Sequence, residues 1–453
     1  GIDVSRYSEF VDNDLYSSLG LRRSVFCDRE TFGTDRLLVG EGEPSWREFL
    51  ARAPLSEGAR DDIVRLHDSS IDYLAHLSLE EKAAFLRRTS YEDFLLKVAK
   101  VGREAISFLE TSGGWTIGLD GVPAWAVAGS WPGTTGLGIG NGDDRSDTVR
   151  ERAFFQFPDG NASIARLIVR SLIPEVAPGS TMEDVVGARF DYGKLDREGS
   201  AVRVRLESTA VRVGHRGDRR SAEEVEVTYV RHGHARRVRA GRCVLACYNA
   251  VIPSMCEELP EAQKHALSNA LKSPLIYTNV LIRNWTAFAK LGVRSVRCPG
   301  SYFENVNLPP AISIGSYRHA TTPDDPIVVR MWRIPLEPAA RGRSVPEQWK
   351  AARRGLLATT FETFERNIRD QLGRILSGGG FDPARDIEAI TVNRWPHGYA
   401  YGQDMETGQV AWRVDEVPPE RASWLIARKP FGRIAIANSD AGAWAMTETA
   451  MAQ

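Results

Sequence analysis

The sequence predicts a mixed α/β (α+β) chain of more than one domain. Three observations carry this expectation: helical periodicity from Ser45 to Glu110, short β-branched segments from Ala201 to Ala246, and a second set of strands and helices between 260 and 425. With 453 residues, 42% hydrophobic and 26% charged, the chain has apolar mass enough for two or three domains. A formal net charge of −1 gives no global pull toward nucleic acid or anionic lipid. No run is long and apolar enough to span a bilayer.

In the helical block, apolar residues recur every three or four positions (Ile63 and Leu66; Ile71, Leu74 and Leu77; Phe94, Leu95 and Val98), and Ser45, Ser78 and Ser90 stand where N-caps belong. Thr111 to Asn141 is then rich in Gly and Trp, among them Gly113, Gly114 and Trp115. Its GLGIG superficially looks like a phosphate loop but lacks the preceding β-run and following helix, so an irregular loop is expected. Phe154 to Leu172 reads as a short apolar strand, a Pro-Asp-Gly turn and an amphipathic helix.

Ala201–Val213, Glu224–Val230 and Arg236–Ala246 are expected as three antiparallel strands, with His232 and His234 flanking a turn at Gly233. Nine arginines between Arg212 and Arg242 mostly alternate with apolar residues and read as a solvated sheet face. Further strands are expected at Leu275–Trp285, Ala311–Tyr317, Ile327–Ile334 and Ile387–Trp395. A long helical pattern from Pro346 to Leu376 is stopped by Gly378-Gly379-Gly380. The five scattered cysteines form no disulfide framework; Cys243 and Cys247, in CVLACY, read as strand thiols, and no metal is expected. The chain opens on Gly1, its first methionine is Met182, and the closing TETAMAQ has helix formers but no Gly, Asn or Pro to stop it, so both ends read as cut and any export signal would be lost with the N-terminus.

The closing segment, GRIAIANSDAGAWAMTETAMAQ, combines an apolar run (Ile434 to Ala437), an acid (Asp440), small residues and a helix-forming run. A strand that delivers a carboxylate to a helix N-terminus suits a polyhydroxyl chain and an electron-rich ring, and so a flavin. The same pattern fits an ordinary βα junction.

Taken in order, a PxG turn opening a helix, a meander ending in VLACYNAVIPSM, a sheet beginning KSPLIYTNVLIRNW, an aromatic RWPHGYAYG and the terminal NSDAGAWAMTETA resemble the flavin-dependent amine oxidase family. Within that family, FPDGNASIARLIVRSLIP and ANSDAGAWAMTETA are most similar to bacterial spermidine dehydrogenase-like proteins. The resemblance spans nearly the whole chain and implies a two-domain FAD-dependent fold. Residues 1–150 would be the helical part of the substrate domain, 151–258 the FAD-domain helix and β-meander, 259–425 the substrate-domain sheet and helices, and 426–453 the C-terminal FAD-binding strand and helix. The family's N-terminal βαβ unit with GxGxxG is missing from these residues. The stretch 1–453 is therefore expected to be a fragment that does not retain FAD in solution.

Residue by residue, the resemblance implies that Asp440 accepts a ribityl hydroxyl, that Ala445 supplies a helix-start N–H near the ring carbonyl, and that Ala210 pairs with the adenine through strand backbone. Ala246 and Cys247 would mark a strand end against the cofactor, with Trp395 near the ring edge. Tyr399 or Tyr401, with Trp444, would wall the amine; Lys290 approximates the family's flavin-facing lysine, and His397 would orient substrate. Every cysteine lies at or before Cys298, ahead of HGYAY, so non-covalent FAD is expected. The implied reaction moves a hydride from the carbon beside an amine nitrogen to the flavin, which dioxygen or another acceptor reoxidises. Its substrate would be a small polyamine-like amine, met at the entrance by Asp120, Glu304, Asp404 and Glu406. Two other readings stay open: a flavin-dependent C–C desaturase of porphyrinogen-oxidase type, and a non-catalytic fragment or binding module. Export to the periplasm, common in the family, is left open as well.

Overall fold

Serine hydroxyls open several helices in the first hundred residues, as the computed structural model shows; it describes residues 1–110, 117–139, 156–412 and 417–453. Expectations placed on Gly113, Gly114, Trp115, Gly140, Phe154 and Phe155 lie outside the described residues. The chain divides into two compact units, one of residues 3–156 and 274–396, the other of 1–2, 157–273 and 397–453.

In the first unit, Ser45 Oγ accepts from the Glu48 N–H at 3.2 Å ahead of Trp46–Leu50, and Ser90 Oγ from the Asp93 N–H at 3.1 Å ahead of Tyr91–Asp93. Ser78 and Glu81 form a reciprocal capping box at the start of Leu79–Arg88. Each cap satisfies an N–H that the first turn leaves without a partner. Ile63, Leu66, Leu86 and Phe94, on the inward faces, are fully buried. The helical expectation for 1–150 overlooked two strands, β1 (Arg22–Cys27) and β2 (Arg36–Val39), paired antiparallel from Ser24↔Val39 to Cys27↔Arg36. Ser24 to Cys27 is buried on both faces, so it shows no alternation to read.

These strands join a mixed sheet with β7 (Leu271–Ile282), β8 (Val293–Arg297), β9 (Asn305–Asn307), β10 (Ile327–Arg333) and β11 (Ile387–Gln403), in the order β11-β7-β10-β9-β8-β1-β2. β1 runs parallel to β8, whereas β8, β9, β10 and β7 pair antiparallel in turn. Val280, Ile282, Val329 and Met331 of the sheet share one core with Phe364, Ile368, Leu372 and Ile375. The helical pattern expected from Pro346 to Leu376 is two helices, Val345–Ala358 and Phe361–Leu376. Thr360 ends the continuity because its Oγ1 caps the second helix, accepting from the Thr363 N–H at 3.3 Å. Ala311–Tyr317 is not a strand; it makes isolated bridges Val11↔Ile312 and Ile314↔Tyr317, and Gly315 at φ +61° turns the chain between the latter two.

In the second unit, the Gly160 N–H closes a turn on the Phe157 carbonyl at 3.0 Å and leads into the helix Asn161–Leu172. β3 (Ser208–His215), β4 (Val225–Arg231) and β5 (His234–Ala240) form the expected antiparallel meander. Arg231 pairs with His234, so His232 (φ +50°) and Gly233 (φ +78°) form the two-residue loop whose twist suits a hairpin. β5 is exposed along its whole length, which leaves its arginines in water. The third expected strand, Arg236–Ala246, breaks at Gly241. Its remainder, β6 (Cys243–Leu245), leaves the meander to pair in parallel with β13 (Ile434–Ile436). A short β12 (Val410–Ala411) pairs with the end of β11. The core here gathers Val213, Val225, Leu245, Ile252, Leu267, Phe431 and Ile436.

A three-arginine clamp sits beside the meander. Asp196 receives Arg203 at 2.6 Å, Arg205 at 3.1 Å and Arg231 at 2.8 Å. The Arg205 hydrogen bond, aided by those of Arg203 and Arg231, outweighs desolvation and holds its carboxyl at about 2, below the ordinary 3.8. A depressed carboxyl stabilises the fold above its unfolded value and loses that contribution as pH falls through the folded one. The thermal midpoint should therefore drop between about pH 4 and pH 2 less steeply in Asp196→Asn than in the parent. Parallel slopes would show that the clamp is not linked to folding.

Candidate functional site

β6 and β13 stop together, at Leu245 opposite Ile436, and the Ala437 N–H donates to the Leu245 carbonyl at 3.2 Å. Both chains then turn away from the strand ends, and one amide ties them. Asn438 Nδ2 donates to the Cys247 carbonyl at 2.6 Å and to Asn249 Oδ1 at 2.8 Å, while its Oδ1 accepts from the Ala441 N–H at 2.9 Å. A carboxamide can do this because it donates and accepts at once.

The tie delivers Asp440, which is 5% exposed. Its Oδ2 accepts from the Asn249 N–H at 2.9 Å, and Lys272 Nζ, from the start of β7, lies 2.8 Å from Oδ1. That lysine is off the line of a hydrogen bond, so Oδ1 has an ionic neighbour but keeps a lone pair without a hydrogen bond among the described residues. A carboxylate this buried is costly unless a cation and N–H groups compensate it. Lys272 also stands 5.4 Å from the centre of the Tyr248 ring, which lies against His397 at 4.6 Å. The Tyr248 hydroxyl donates to the Ala270 carbonyl at 3.1 Å and so steadies that ring.

Beside this cluster, Tyr401 and Trp444 face each other across an isolated antiparallel bridge. Directly opposed residues project their side chains to the same side. Tyr401 is buried, its ring edge-on to Trp412 at 5.5 Å. The approach depends on Gly402: a Cβ there would fall 2.5 Å from the Trp424 ring and 3.1 Å from Ala443 Cβ.

Asp440 does not open a helix. It begins the 3-10 turn Asp440–Gly442, Ala443 at φ +53° breaks that turn, and the helix Thr447–Met451 starts later. Ala445 accordingly lies ahead of the helix rather than at its first N–H. Ala210 is exposed on β3 opposite Tyr229, beside a register shift, and Ala246 is exposed just past the end of β6. Cys247 is half-buried, and burial pushes its thiol above the ordinary range. Tyr399 is half-buried on β11. Trp395, 52% exposed, and Lys290, exposed in the last turn of Thr286–Leu291, belong to the other unit.

The lysine at Asp440 is thus Lys272, which sequence reasoning missed together with Asn249 and Asn438. A usable signal was the Asn two places before the acid, together with the lysine opening the strand KSPLIYT. The entrance acids have partners of their own. Asp120 receives Gly342 N–H and Glu304 receives Ile334 N–H in one unit; Arg421 holds both Asp404 and Glu406 in the other. Among the described residues no group of three or more His, Cys, Asp or Glu is placed to hold a metal ion, and no helix is long and apolar enough to cross a membrane.

No family model matches the chain, and no curated protein sequence matches it. Among solved structures it is similar to putrescine oxidase bound to putrescine, with a TM-score of 0.43 and 15% identity over 96% of this chain and 82% of the other. Cyclohexylamine oxidase from Brevibacterium oxydans gives a TM-score of 0.46 and 12% identity over 97% and 83%. Likeness this loose carries neither fold nor chemistry, so the functional reading rests on the residues themselves.

Proposed function

We propose that the chain holds the hydroxyl-chain and ring end of a non-covalent FAD site, in an enzyme that oxidises a polyamine-like amine and resembles the spermidine dehydrogenase-like proteins. One observation carries this reading: the Asp440 carboxylate, buried at the ends of two parallel strands, with Oδ1 beside the Lys272 ammonium and without a hydrogen bond among the described residues. The described residues suit that end of the group; they include no strand, Gly-rich turn and helix in sequence that would cradle a pyrophosphate. A separate dinucleotide-binding βαβ unit would supply the cradle. Its seat is the β6–β13 pair, since parallel strands are ordinarily covered on both faces, whereas Val244 is 61% exposed and Ala435 beside it is exposed as well. In this reading 151–258 and 426–453 belong to the FAD domain, and 1–150 and 259–425 to the substrate domain.

The flavin, when bound, supplies the acceptor for a hydride from the carbon beside nitrogen, and dioxygen or another oxidant recovers it. The chain's residues bind and orient. Asp440 accepts a hydroxyl beside the Lys272 ammonium, while Ala210, Ala246 and Cys247 offer backbone alongside. Tyr401 and Trp444, with Tyr399, exclude water, which favours the neutral amine, and their π faces guide it into place.

Riboflavin, which has the ring and hydroxyl chain without the phosphates, tests the site directly. It should bind residues 1–453 weakly, and Asp440→Asn should weaken that binding about tenfold, the worth of one hydrogen bond to a charged group. In enzyme completed by that unit and loaded with FAD, Trp444→Ala should lower amine turnover at least about tenfold and leave flavin retention within about threefold. Equal riboflavin binding by the Asn variant would remove the flavin reading; unchanged turnover in Trp444→Ala would remove the aromatic wall.

A further inference from the structure

The unit of 3–156 and 274–396 contains a cavity of about 290 Å³, near the lower end of ligand pockets. One aromatic wall is Trp46 stacked on His67, with centroids 3.8 Å apart and rings tilted by 26°. A second is Trp131, edge-on to Tyr91 at 5.1 Å. Among the described residues the charged lining is Glu41 with two arginines: Arg297 Nε donates to Oε1 at 2.8 Å, and Arg23 lies 3.7 Å from Oε2. One carboxylate against two guanidinium groups leaves a surplus positive charge.

That charge is available. Arg297 Nη1 donates to the Phe108 carbonyl at 2.6 Å, and Nη2 has no hydrogen-bond partner among the described residues, although the side chain is 19% exposed. His67 Nδ1 lies 2.8 Å from the Ile63 carbonyl, so the proton resides there and Nε2 is left as an acceptor. Burial, seconded by Arg297, pushes the His67 pKa down and keeps the ring neutral.

We infer that this cavity binds a small planar aromatic carboxylate, its ring against Trp46 and Trp131, its carboxylate on Arg297 and Arg23, and a ring hydroxyl or N–H donated to His67 Nε2. An amine does not suit the site. Both Glu41 oxygens face guanidinium groups, so an ammonium would meet the surplus positive charge with no carboxylate left to answer it. A polyphosphate fits no better, since a single surplus charge and aromatic walls match one anionic group on a flat apolar body. The site is therefore separate in chemistry from the amine reaction proposed above.

Calorimetry on residues 1–453 with 4-hydroxybenzoate, 4-hydroxybenzyl alcohol and 4-hydroxybenzylamine tests the inference. The acid should bind with a Kd on the order of 0.1 mM, the alcohol about tenfold more weakly and the amine more weakly still. Arg23→Gln, at a side chain 69% exposed and so harmless to folding, should weaken the acid about threefold or more, and Trp46→Leu about tenfold. Asp440→Asn should change nothing, which separates failure here from failure of the flavin reading. Equal binding of the three probes, indifference to both substitutions, or no binding of the acid at about 1 mM would overturn the inference.

Discussion

Replacing Asp440 with Ala should lower the unfolding free energy of its unit by about 3–5 kcal/mol, the cost of removing one partner from a buried ion pair. Two groups lose a partner at once: the Lys272 ammonium, whose side chain is 11% exposed, and the Asn249 N–H that Oδ2 satisfies. Lys272→Met should cost a similar amount, because it leaves the carboxylate buried without its cation. The double variant should be more stable than the sum of the two losses, by about 1–3 kcal/mol. Denaturant unfolding of all four proteins closes the cycle, with hydrogen exchange at β6 and β13 showing where the loss is felt. Strict additivity would mean that the two charges do not depend on each other.

Trp285→Ala should cost about 3–5 kcal/mol in the other unit. The side chain is 0% exposed, edge-on to Tyr16 at 5.9 Å, and its backbone N–H donates to the Pro323 carbonyl at 2.8 Å. Its indole N–H has no hydrogen-bond partner among the described residues, so Trp285→Phe removes an unsatisfied donor along with some volume. The Phe variant should therefore lose at most about half as much as the Ala variant. Exchange should quicken in β7 and β10 and stay unchanged in β6 and β13. Equal losses for Phe and Ala would show that the core does not use the volume of the ring.

Local rules were legible in the sequence wherever a side chain acts on its own backbone. The serine caps, the His232-Gly233 hairpin and the stop at Gly378 to Gly380 each depend on residues close in the chain. What escaped reading depends on distant partners. β1 takes the backbone partners of its two edges from β8 and β2, and the split of β6 from β5 is decided by β13. Asp440 was legible as a carboxylate at a strand end. Its lysine was not, because Lys272 reaches it from a strand 168 positions earlier and no short motif records such a meeting. Trp444 was picked as an aromatic wall, and its bridge to Tyr401 rests on Gly402, a residue that sequence inspection passes over as a mere spacer.

The parallel pairing of β6 with β13 also sets a schedule. Asn249 and Asp440 are 191 positions apart, and a ribosome adding about 5–20 residues per second needs about 10–40 s to cover that distance. For that interval a nascent chain carries the β6 edge and Val244 with the partner strand still unmade, while all of β3, β4 and β5 has already emerged ahead of it. Closure of this core thus waits until β13 has been made, and a ribosome stalled before that strand leaves a meander that cannot close its own core.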